Sequence, residues 1–247
     1  METTYDDILY GELVLRQPAD GPRVNVDTII LAAYCKIRRG EKVLELGSAH
    51  GAVALLLGRR YPHALSIEGL EVQKELWELS KQNALENDLA DKVSFRQGDL
   101  RDVRKLYRSQ SFDVVVVNPP YDEVDRSRPS PNLREATARH GTFCTFDDVA
   151  KAAKFLLRNK GRLYLVMRAK RLAEVCGKLI QNGLQPRSLR IVHPKPSSDA
   201  SVFLMMATRS CGVGMMVEPP LYIHNCDGSY TEELLKAYRI GDSLCRY

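Results

Sequence analysis

The residues best suited to chemistry in this sequence are four consecutive ones, Asn118-Pro119-Pro120-Tyr121, which directly follow the apolar run Val114–Val117. Two prolines fix the backbone φ angle and remove two N–H donors, so a strand must end there with free carbonyl groups. The side-chain oxygen of Asn118 and the carbonyl of Pro119 can then both accept hydrogen bonds from one planar NH2 group. Tyr121 supplies a ring that can stack on a planar substrate. The tetrapeptide therefore predicts a site for a planar amine.

A second candidate site is the turn that follows the apolar run Val43–Leu46. Gly47 and Gly51 favour a tight connection from strand to helix, and the N–H groups of that helix would face the anionic part of a ligand. A dinucleotide fingerprint would need glycine at positions 47, 49 and 52, but Ala49 and Ala52 occupy two of them. The turn therefore argues against a dehydrogenase.

An acidic residue after the second predicted strand could bind the sugar of a cofactor. Both ribose hydroxyls of an adenosine group can donate to one carboxylate in that position. The segment Glu68-Gly69-Leu70-Glu71-Val72-Gln73 offers two such carboxylates, Glu68 and Glu71. The residues alone leave both open as candidates.

These candidates are spaced along an alternation of strand and helix patterns. Five apolar runs are typical of strands: Val43–Leu46, Ala64–Ile67, Val93–Phe95, Val114–Val117 and Leu163–Met167. Helical patterns occur at about Ala52–Tyr61, Val72–Asn87, Phe146–Arg158 and Ala169–Asn182. Four of the runs lack polar alternation, so helices should cover both faces of the sheet. The expected fold is a doubly wound, Rossmann-like α/β sheet.

Two further strand patterns extend the sheet at its end. Ser188–Val192 and Val202–Thr208 are separated by the Pro- and Ser-rich stretch Pro194–Ala200, which is too short for a crossover helix. We therefore expect a mostly parallel sheet with a C-terminal antiparallel hairpin. Helix boundaries are predicted at three residues: Thr145 as an N-cap, and Gly161 and Gly183 as C-terminal stops.

Charge is distributed unevenly along the chain. The net charge is +5, but the stretch Arg126–Lys195 has 16 basic residues against 4 acidic ones, so it carries +12 and the remainder −7. A polyanion such as nucleic acid would be steered to that stretch, although solvated helix faces explain the charge equally well. The segment Asp122–Gly141, which overlaps the start of this stretch, is long and irregular, as functional or disordered loops often are.

The composition is that of a globular protein, with 44% hydrophobic and 27% charged residues among 247. No run approaches the roughly 18 to 20 apolar residues of a membrane-spanning helix, and Met1–Tyr10 lacks the basic start of a secretion signal. The six cysteines show no pair at the two-residue spacing of zinc or redox sites. We expect a cytoplasmic protein with no metal and no membrane partner.

The glycine turn, with an acidic residue two positions before its first glycine, resembles the first motif of class I S-adenosylmethionine-dependent methyltransferases. The resemblance implies S-adenosylmethionine as the cofactor. It assigns cofactor binding to Glu45, Gly47, Ala49, Gly51, Glu71, Asp99, Leu100 and Asn118. A further cofactor-binding residue is implied in the N-terminal segment.

Three of these assignments carry conditions. The class places its ribose-binding carboxylate two residues beyond a glycine, which favours Glu71 over Glu68. Asp99 would accept from the adenine amino group, although it could instead cap the helix that follows. Ala49 stands where most of the class has glycine, and its methyl group is tolerable if the backbone there keeps a negative φ.

The tetrapeptide at Asn118 resembles the fourth motif of amino methyltransferases that act on adenine N6, cytosine N4 or glutamine N5. The whole chain resembles the bacterial tRNA1(Val) (adenine-N6)-methyltransferase family. The further segments that carry this resemblance are Asn25-Val26-Asp27, Ala138-Arg139-His140, His193-Pro194-Lys195 and the tail from Pro220 to Glu233. The resemblance implies methylation of the adenine beside the anticodon of a tRNA, with Asn118, Pro119, Pro120 and Tyr121 as catalytic residues.

Other site residues follow from the same resemblance. Asp27 is implied to close the cofactor pocket, although an N-cap role for a helix starting at Ile29 is an equal reading. The basic residues expected near the phosphates of the anticodon stem-loop are Arg139, His140 and Lys195, each of which could equally be solvated surface.

The expected organisation is an N-terminal extension at 1–41, a methyltransferase domain at 42–210, and a tail at 211–247 that completes the same domain. Two other functions remain open. A protein glutamine N5-methyltransferase shares the tetrapeptide, but such enzymes usually have an N-terminal helical domain for which 41 residues leave little room. A non-catalytic RNA-binding protein is suggested by the departures at Glu45 and Ala49, and cofactor binding would separate it from both enzymes.

Overall fold

The computed structural model describes residues 1–119 and 144–245. In this part of the chain a two-stranded hairpin precedes a nine-stranded sheet. The hairpin strands are β1 (Thr3–Ile8) and β2 (Leu13–Pro18). The strands of the sheet are β3 (Lys42–Leu46), β4 (Ser66–Glu71), β5 (Val93–Gln97), β6 (Phe112–Val117), β7 (Leu157–Arg168), β8 (Leu184–His193), β9 (Val202–Arg209), β10 (Met216–Val217) and β11 (Leu221–Tyr222).

The sheet runs in the order β10-β8-β9-β7-β6-β3-β4-β5, and β11 also pairs with β8. Strands β3 to β7 are mutually parallel, whereas β9 is antiparallel to both β7 and β8. The predicted parallel sheet with a C-terminal antiparallel hairpin is confirmed. Because β8 points the same way as β7, its carboxyl end lies at the same edge as the carboxyl ends of the five parallel strands.

Helices cover both faces of this sheet. Their bounds are α1 (Val26–Tyr34), α2 (Ala52–Arg60), α3 (Lys74–Glu86), α4 (Val103–Leu106), α5 (Phe146–Leu156), α6 (Leu172–Gln181) and α7 (Glu232–Ala237), with 3-10 turns at Leu100–Asp102 and Ala169–Arg171. Val114 and Val116 of β6 pack in a core with residues of α1, α2 and α7, whereas Val115 and Val117 pack with α5 and α6. This alternation on a strand buried on both faces confirms the doubly wound fold.

The second predicted strand is misplaced. The sequence predicts it at Ala64–Ile67, but β4 begins at Ser66 and ends at Glu71. Polar residues and a glycine interrupt the apolar pattern, yet the whole segment pairs with both β3 and β5. Gly69 is needed there because a Cβ atom would lie 2.5 Å from Cδ1 of Phe95. Close packing against a neighbouring ring explains the glycine that interrupts the hydrophobic pattern of this strand.

The predicted helix stop at Gly161 is wrong. Helix α5 ends at Leu156 and the chain passes directly into β7, which contains Gly161. The pairing register with β6 shifts near this point, and a Cβ atom on Gly161 would lie 3.0 Å from the Arg158 carbonyl oxygen. The other two boundaries are confirmed, because Thr145 caps α5 in a capping box and Gly183, with φ +71°, follows α6.

The N-terminal hairpin is attached to α3 by two asparagine side chains. Asn87 accepts from the Val14 N–H at 2.9 Å and donates to the Val14 carbonyl at 2.7 Å. Asn83, one helical turn earlier, accepts from the Arg16 N–H at 2.8 Å and donates to its carbonyl at 2.9 Å. These side chains satisfy the free edge of β2 as a neighbouring strand would.

The C-terminal residues pack on β8 and α1. Buried Glu218 accepts from the Tyr34 hydroxyl at 2.7 Å and from the Ser188 hydroxyl. The fully buried guanidinium of Arg190 forms an ion pair with Glu233 at 2.7 Å. Across residues 1–119 and 144–245, no helix combines the length and the apolar character needed to cross a membrane.

Candidate functional site

One edge of the sheet gathers four of the predicted site residues. Gly47 follows β3, Glu71 ends β4, Asp99 lies two residues after β5, and Asn118 follows β6. The chain moves outward from β3 to β4 and β5, then returns to β6 on the other side of β3. The gap between β3 and β6 is therefore the topological switch point, where open α/β sheets bind their ligands.

The turn after β3 is held in a tight conformation. The N–H groups of Gly47 and Ser48 both donate to the Leu70 carbonyl, at 2.9 and 3.0 Å. Gly47 and Gly51 have φ angles of +71° and +90°, which glycine adopts without strain. A Cβ atom on Gly51 would lie 2.6 Å from Cζ of Phe95. The turn therefore needs both glycines, one for conformation and the other also for space.

Ala49 does not have the negative φ angle that would make its methyl group tolerable in the turn. Its φ angle is +47°, in the left-handed region that alanine rarely adopts. The N–H of Ala49 donates to Oε2 of Glu71 at 2.8 Å, which fixes the orientation of its peptide group. Left-handed geometry destabilises an alanine by about 1–2 kcal/mol. Strain of this kind concentrates at ligand sites.

The two candidate carboxylates of β4 have different partners. Glu71 is 5% exposed and accepts from the N–H groups of Ala49 and Gln73, at 2.8 and 2.9 Å. Glu68 forms an ion pair with Arg96 at 2.9 Å instead. Of the two, Glu71 therefore borders the turn and joins it to the start of α3.

Glu45 lies beneath the turn rather than beside it. Its side chain is 2% exposed and accepts from the Ala54 N–H at 2.9 Å. Gly51, the N-cap residue of α2, has no side chain, so the Glu45 carboxylate satisfies an N–H at that helix end. Burial raises the pKa of Glu45 well above its ordinary value, against the opposing effect of the Ala54 hydrogen bond. Direct contact of Glu45 with a cofactor stays a prediction.

Two polar side chains of the turn, Ser48 and His50, were not singled out from the sequence. The Ser48 hydroxyl and both ring nitrogens of His50 are buried with no hydrogen-bond partner within residues 1–119 and 144–245. Burial, and to a smaller extent the positive charge of Arg23, lower the pKa of His50 to about 4. Buried polar atoms are nearly always paired, so an orphaned hydroxyl in the turn indicates a place for a ligand.

Asp99 caps the 3-10 turn after β5, as the capping alternative for this residue predicts. Its carboxylate accepts from the Arg101 N–H at 2.8 Å and pairs with the Arg101 guanidinium. That guanidinium lowers the pKa of Asp99. Leu100 is half-buried against the core beneath α5. An amine bound at Asp99 would therefore share the carboxylate with Arg101.

Asn118 and Pro119 lie at the switch point itself. Val117 pairs with Leu46 in adjacent parallel strands, so Asn118 and Gly47 leave the sheet side by side, with backbones about 5 Å apart. Asn118 is half-buried and Pro119 is buried. The remaining predicted residues of the tetrapeptide and the loop lie outside the described residues: Pro120, Tyr121, Arg139 and His140.

The N-cap reading of Asp27 is wrong. Helix α1 begins at Val26, and Asn25 is its N-cap, because the Asn25 side chain accepts from the Thr28 N–H at 3.1 Å. Asp27 lies in the first helical turn, where a carboxylate favours the helix dipole. Its part in closing a cofactor pocket stays a prediction.

Lys195 lies at the same edge as Asn118. It is exposed in the loop after β8, three strand positions from β6, or about 14 Å. The tail reaches this loop, because the His224 N–H donates to the Pro194 carbonyl at 2.9 Å. The His224 ring stacks on Tyr230 with centroids 5.0 Å apart. Two segments of the family resemblance therefore meet in space.

Residues 22–182 match the family model of the methyltransferase small domain. The chain belongs to this family. It is also similar to two proteins named tRNA1(Val) (adenine(37)-N6)-methyltransferase. The one from Dyadobacter fermentans is 22% identical, over 93% of this chain and 95% of that relative. The one from Actinobacillus pleuropneumoniae is 27% identical, over 87% and 89%.

A solved structure from Agrobacterium tumefaciens, described as a predicted O-methyltransferase, has the same fold. Its TM-score is 0.74 at 19% identity, and the match covers 89% of this chain and 99% of that one. The family resemblance and the Rossmann-like class I methyltransferase fold expected from the sequence are thus confirmed. The protein is an S-adenosylmethionine-dependent methyltransferase.

The cleft of this methyltransferase fits the cofactor that its family uses. The buried Glu71 carboxylate can accept from ribose hydroxyls, and the Ser48 hydroxyl in the adjoining turn has no partner among the described residues. Apart from its two chain neighbours, no described residue lies within 4 Å of the place where a Cβ atom on Gly47 would stand. A cofactor can therefore approach the backbone closely at this point.

Proposed function

We propose that this methyltransferase transfers a methyl group from S-adenosylmethionine to the N6 amine of an adenine in RNA, and that the adenine lies next to the anticodon of a tRNA. The position of Asn118 and Pro119 beside the Gly47 turn carries the proposal. It places acceptors suited to a planar amine next to the predicted cofactor turn. The names of the relatives from Dyadobacter and Actinobacillus support tRNA as the substrate.

The chemical task is to make a poor nucleophile react. The lone pair of the exocyclic amine is delocalised into the adenine ring. The Asn118 side-chain oxygen and the Pro119 carbonyl accept hydrogen bonds from the two amine N–H groups and draw these hydrogens out of the ring plane as the nitrogen pyramidalises. Bound S-adenosylmethionine supplies an electrophilic methyl group on a sulfonium. As the N–C bond forms and the S–C bond breaks, the cofactor would leave as a neutral thioether. The methylated nitrogen is then strongly acidic and releases its proton to water without a general base, so the site acts mainly by positioning.

Each residue of the cleft then has a role. We assign the ribose hydroxyls to Glu71 and the adenine amine of the cofactor to Asp99. Glu45 acts from below by holding the end of α2. The other cofactor-binding residues assigned are Asp27, Gly47, Ala49, Gly51, Leu100 and Asn118.

The RNA must present its adenine outside the base stack. Extruding a base requires a few kcal/mol, and least in a single-stranded loop, so an anticodon loop is a favourable substrate. We assign base stacking to Tyr121, with Pro120 holding the loop. The positive stretch Arg126–Lys195 supplies the phosphate-binding surface, with Arg139, His140 and Lys195 nearest the backbone.

The proposal is tested by methylating tRNA from a strain that lacks this gene. Purified protein and S-adenosylmethionine are added, and the nucleosides are identified by mass spectrometry. We expect N6-methyladenosine beside the anticodon of a tRNA. A matched anticodon stem-loop with guanine in place of that adenine should accept no methyl group. Methylation of a glutamine peptide instead, or no binding of S-adenosylmethionine in calorimetry, would overturn the proposal.

A further inference from the structure

A cavity of about 510 Å³ lies between the turn of the β1–β2 hairpin, the start of α1 and the residues around α7. This volume is in the range of small-molecule sites. Three tyrosines line it, Tyr10, Tyr230 and Tyr238, together with apolar side chains such as Leu235. Nothing in the roles assigned above uses this cavity.

One end of the cavity, where Asn25 and Tyr230 lie, is toward the edge of the sheet that carries Asn118. Its other end, with Tyr10 and Tyr238, lies near the C-terminal end of α2 at the opposite edge, because Arg60 donates to the carbonyls of Ala237 and Arg239.

The far end of α1 is at the opposite edge, because Arg162, near the start of the β6–β7 pairing, donates to the Lys36 carbonyl just beyond that helix. The nine residues of α1 span about 13 Å, roughly two thirds of the length of β6, so Asn25 at the start of α1 lies toward the catalytic edge. Tyr230 also lies at the catalytic edge. It forms a β-bridge with His224, whose N–H donates to the Pro194 carbonyl just beyond the end of β8.

The aromatic rings at the cavity are presented to solvent. Tyr10 is 72% exposed and Tyr230 is 48% exposed. Leu9 and Tyr10 both have φ +58°, a strained conformation that buries Leu9 while holding Tyr10 outward. The Tyr10 and Tyr238 ring centroids are 6.4 Å apart. Exposed aromatic rings are the surfaces on which unstacked nucleic-acid bases bind.

The charge at the cavity favours a base over a phosphate. Of the described residues that line it, Asp7 carries the only charge, and a carboxylate repels phosphate. Asp7 and Asn25 can also form hydrogen bonds with polar groups on a base edge. We propose that this cavity is a subsite for one unstacked base of the RNA, separate from the adenine that is methylated. This inference rests on the proposed function and adds to it a second point of base recognition.

The subsite is tested with anticodon stem-loops in which one loop nucleotide at a time is made abasic. Dissociation constants are measured for the unmodified protein and for Tyr230→Ala at one salt concentration. We expect one abasic position, other than the target adenine, to weaken binding to the unmodified protein by about 5- to 100-fold. The same abasic RNA should bind Tyr230→Ala no more weakly than intact RNA does. Tyr230→Phe should behave like the unmodified protein, because the ring carries the interaction.

Tyr5→Ala is the matched control. Tyr5 is also an exposed tyrosine, at 58%, but it is on β1 and does not line the cavity. Abasic penalties that are the same in Tyr230→Ala and the unmodified protein would refute the subsite, even if adenine N6 is methylated normally. If no RNA acquires N6-methyladenosine, the proposed function fails and the subsite fails with it. Thermal unfolding of each variant verifies that it is folded.

Discussion

Asn118 is the side chain at which the proposed chemistry can be tested most directly. If its oxygen accepts a hydrogen bond that strengthens as the amine pyramidalises, Asn118→Ala should lower turnover by about 10²- to 10³-fold. Affinity for tRNA should hardly change, since one base contact is small beside the phosphate contacts. Single-turnover methylation and filter binding measure the two effects separately. Equal losses of binding and turnover would show that Asn118 merely holds its loop.

Ala49 offers a stability test of the cofactor turn. Its φ of +47° is strained for alanine and free for glycine. Ala49→Gly should therefore raise the free energy of unfolding by about 1 kcal/mol. Ala49→Val should lower it, because a branched side chain tolerates that conformation less well. Chemical denaturation measures both, and a destabilised glycine variant would contradict the geometry of the turn.

His50 should make stability depend on pH. Its pKa is lowered to about 4 in the folded protein, against 6.5 for an exposed histidine. Between these values the unfolded chain binds a proton that the folded chain does not, so stability falls as pH decreases from 6.5 to 4. The loss at pH 5 is about 2 kcal/mol. His50→Asn should remove this part of the loss of stability. The free energy of unfolding is measured by chemical denaturation at pH 7 and pH 5. An equal decrease between the two pH values in both proteins would disprove the role of His50.

Residue chemistry made part of the site predictable and left part hidden. Gly47 and Gly51 were identifiable because glycine suits the positive φ angles of a tight turn. The place of Asn118 at the end of β6 was identifiable because two prolines follow it and end the strand. The competition between Arg101 and a cofactor amine for the Asp99 carboxylate was not predictable, because it depends on where the Arg101 side chain lies. Ser48 and His50, whose buried polar atoms lack partners in the part of the chain that the structure describes, become evident only once burial is known.

At the scale of elements, helix α2 depends on a carboxylate from β3. Glu45→Gln should keep the hydrogen bond from the Ala54 N–H, whereas Glu45→Ala should lower stability by about 1–2 kcal/mol. Because the folded state raises the pKa of Glu45, it retains a proton that the unfolded chain loses, so this group destabilises as pH rises above about 4.5. The stability of Glu45→Gln relative to the unmodified protein should therefore rise with pH.

Cofactor affinity separates the two roles open to Glu45. If Glu45 acts through α2, Glu45→Gln binds S-adenosylmethionine as tightly as the unmodified protein in calorimetry. A large loss of affinity in this variant, with its stability intact, would instead place the carboxylate in contact with the cofactor.

The elements that sequence patterns predict are those whose burial is complete. The valines of β6 form an unbroken apolar run because both faces are covered. The N-terminal hairpin escaped prediction because its free edge is satisfied by Asn83 and Asn87, nearly 70 residues away in the chain. The predicted position of β4 was wrong for a similar reason, because the Phe95 ring of the next strand leaves room only for glycine at position 69. Such pairings are tertiary and leave no local periodicity.

At the scale of the whole molecule, the uneven charge predicts how RNA binding responds to salt. The logarithm of the affinity for an anticodon stem-loop should fall linearly with the logarithm of salt concentration, by about 0.7 per neutralised phosphate on single strands. Replacing Arg139 and Lys195 together by alanine should flatten the slope by about 1.4 and leave S-adenosylmethionine affinity unchanged. Replacing Arg38 and Arg39 together by alanine is the control, because both are exposed cations in the loop before β3, at the opposite edge of the sheet. If this control flattens the slope as much as the loss of Arg139 and Lys195 does, the attraction is diffuse. A slope that changes only when Arg139 and Lys195 are replaced would assign the RNA surface to the edge that holds Asn118.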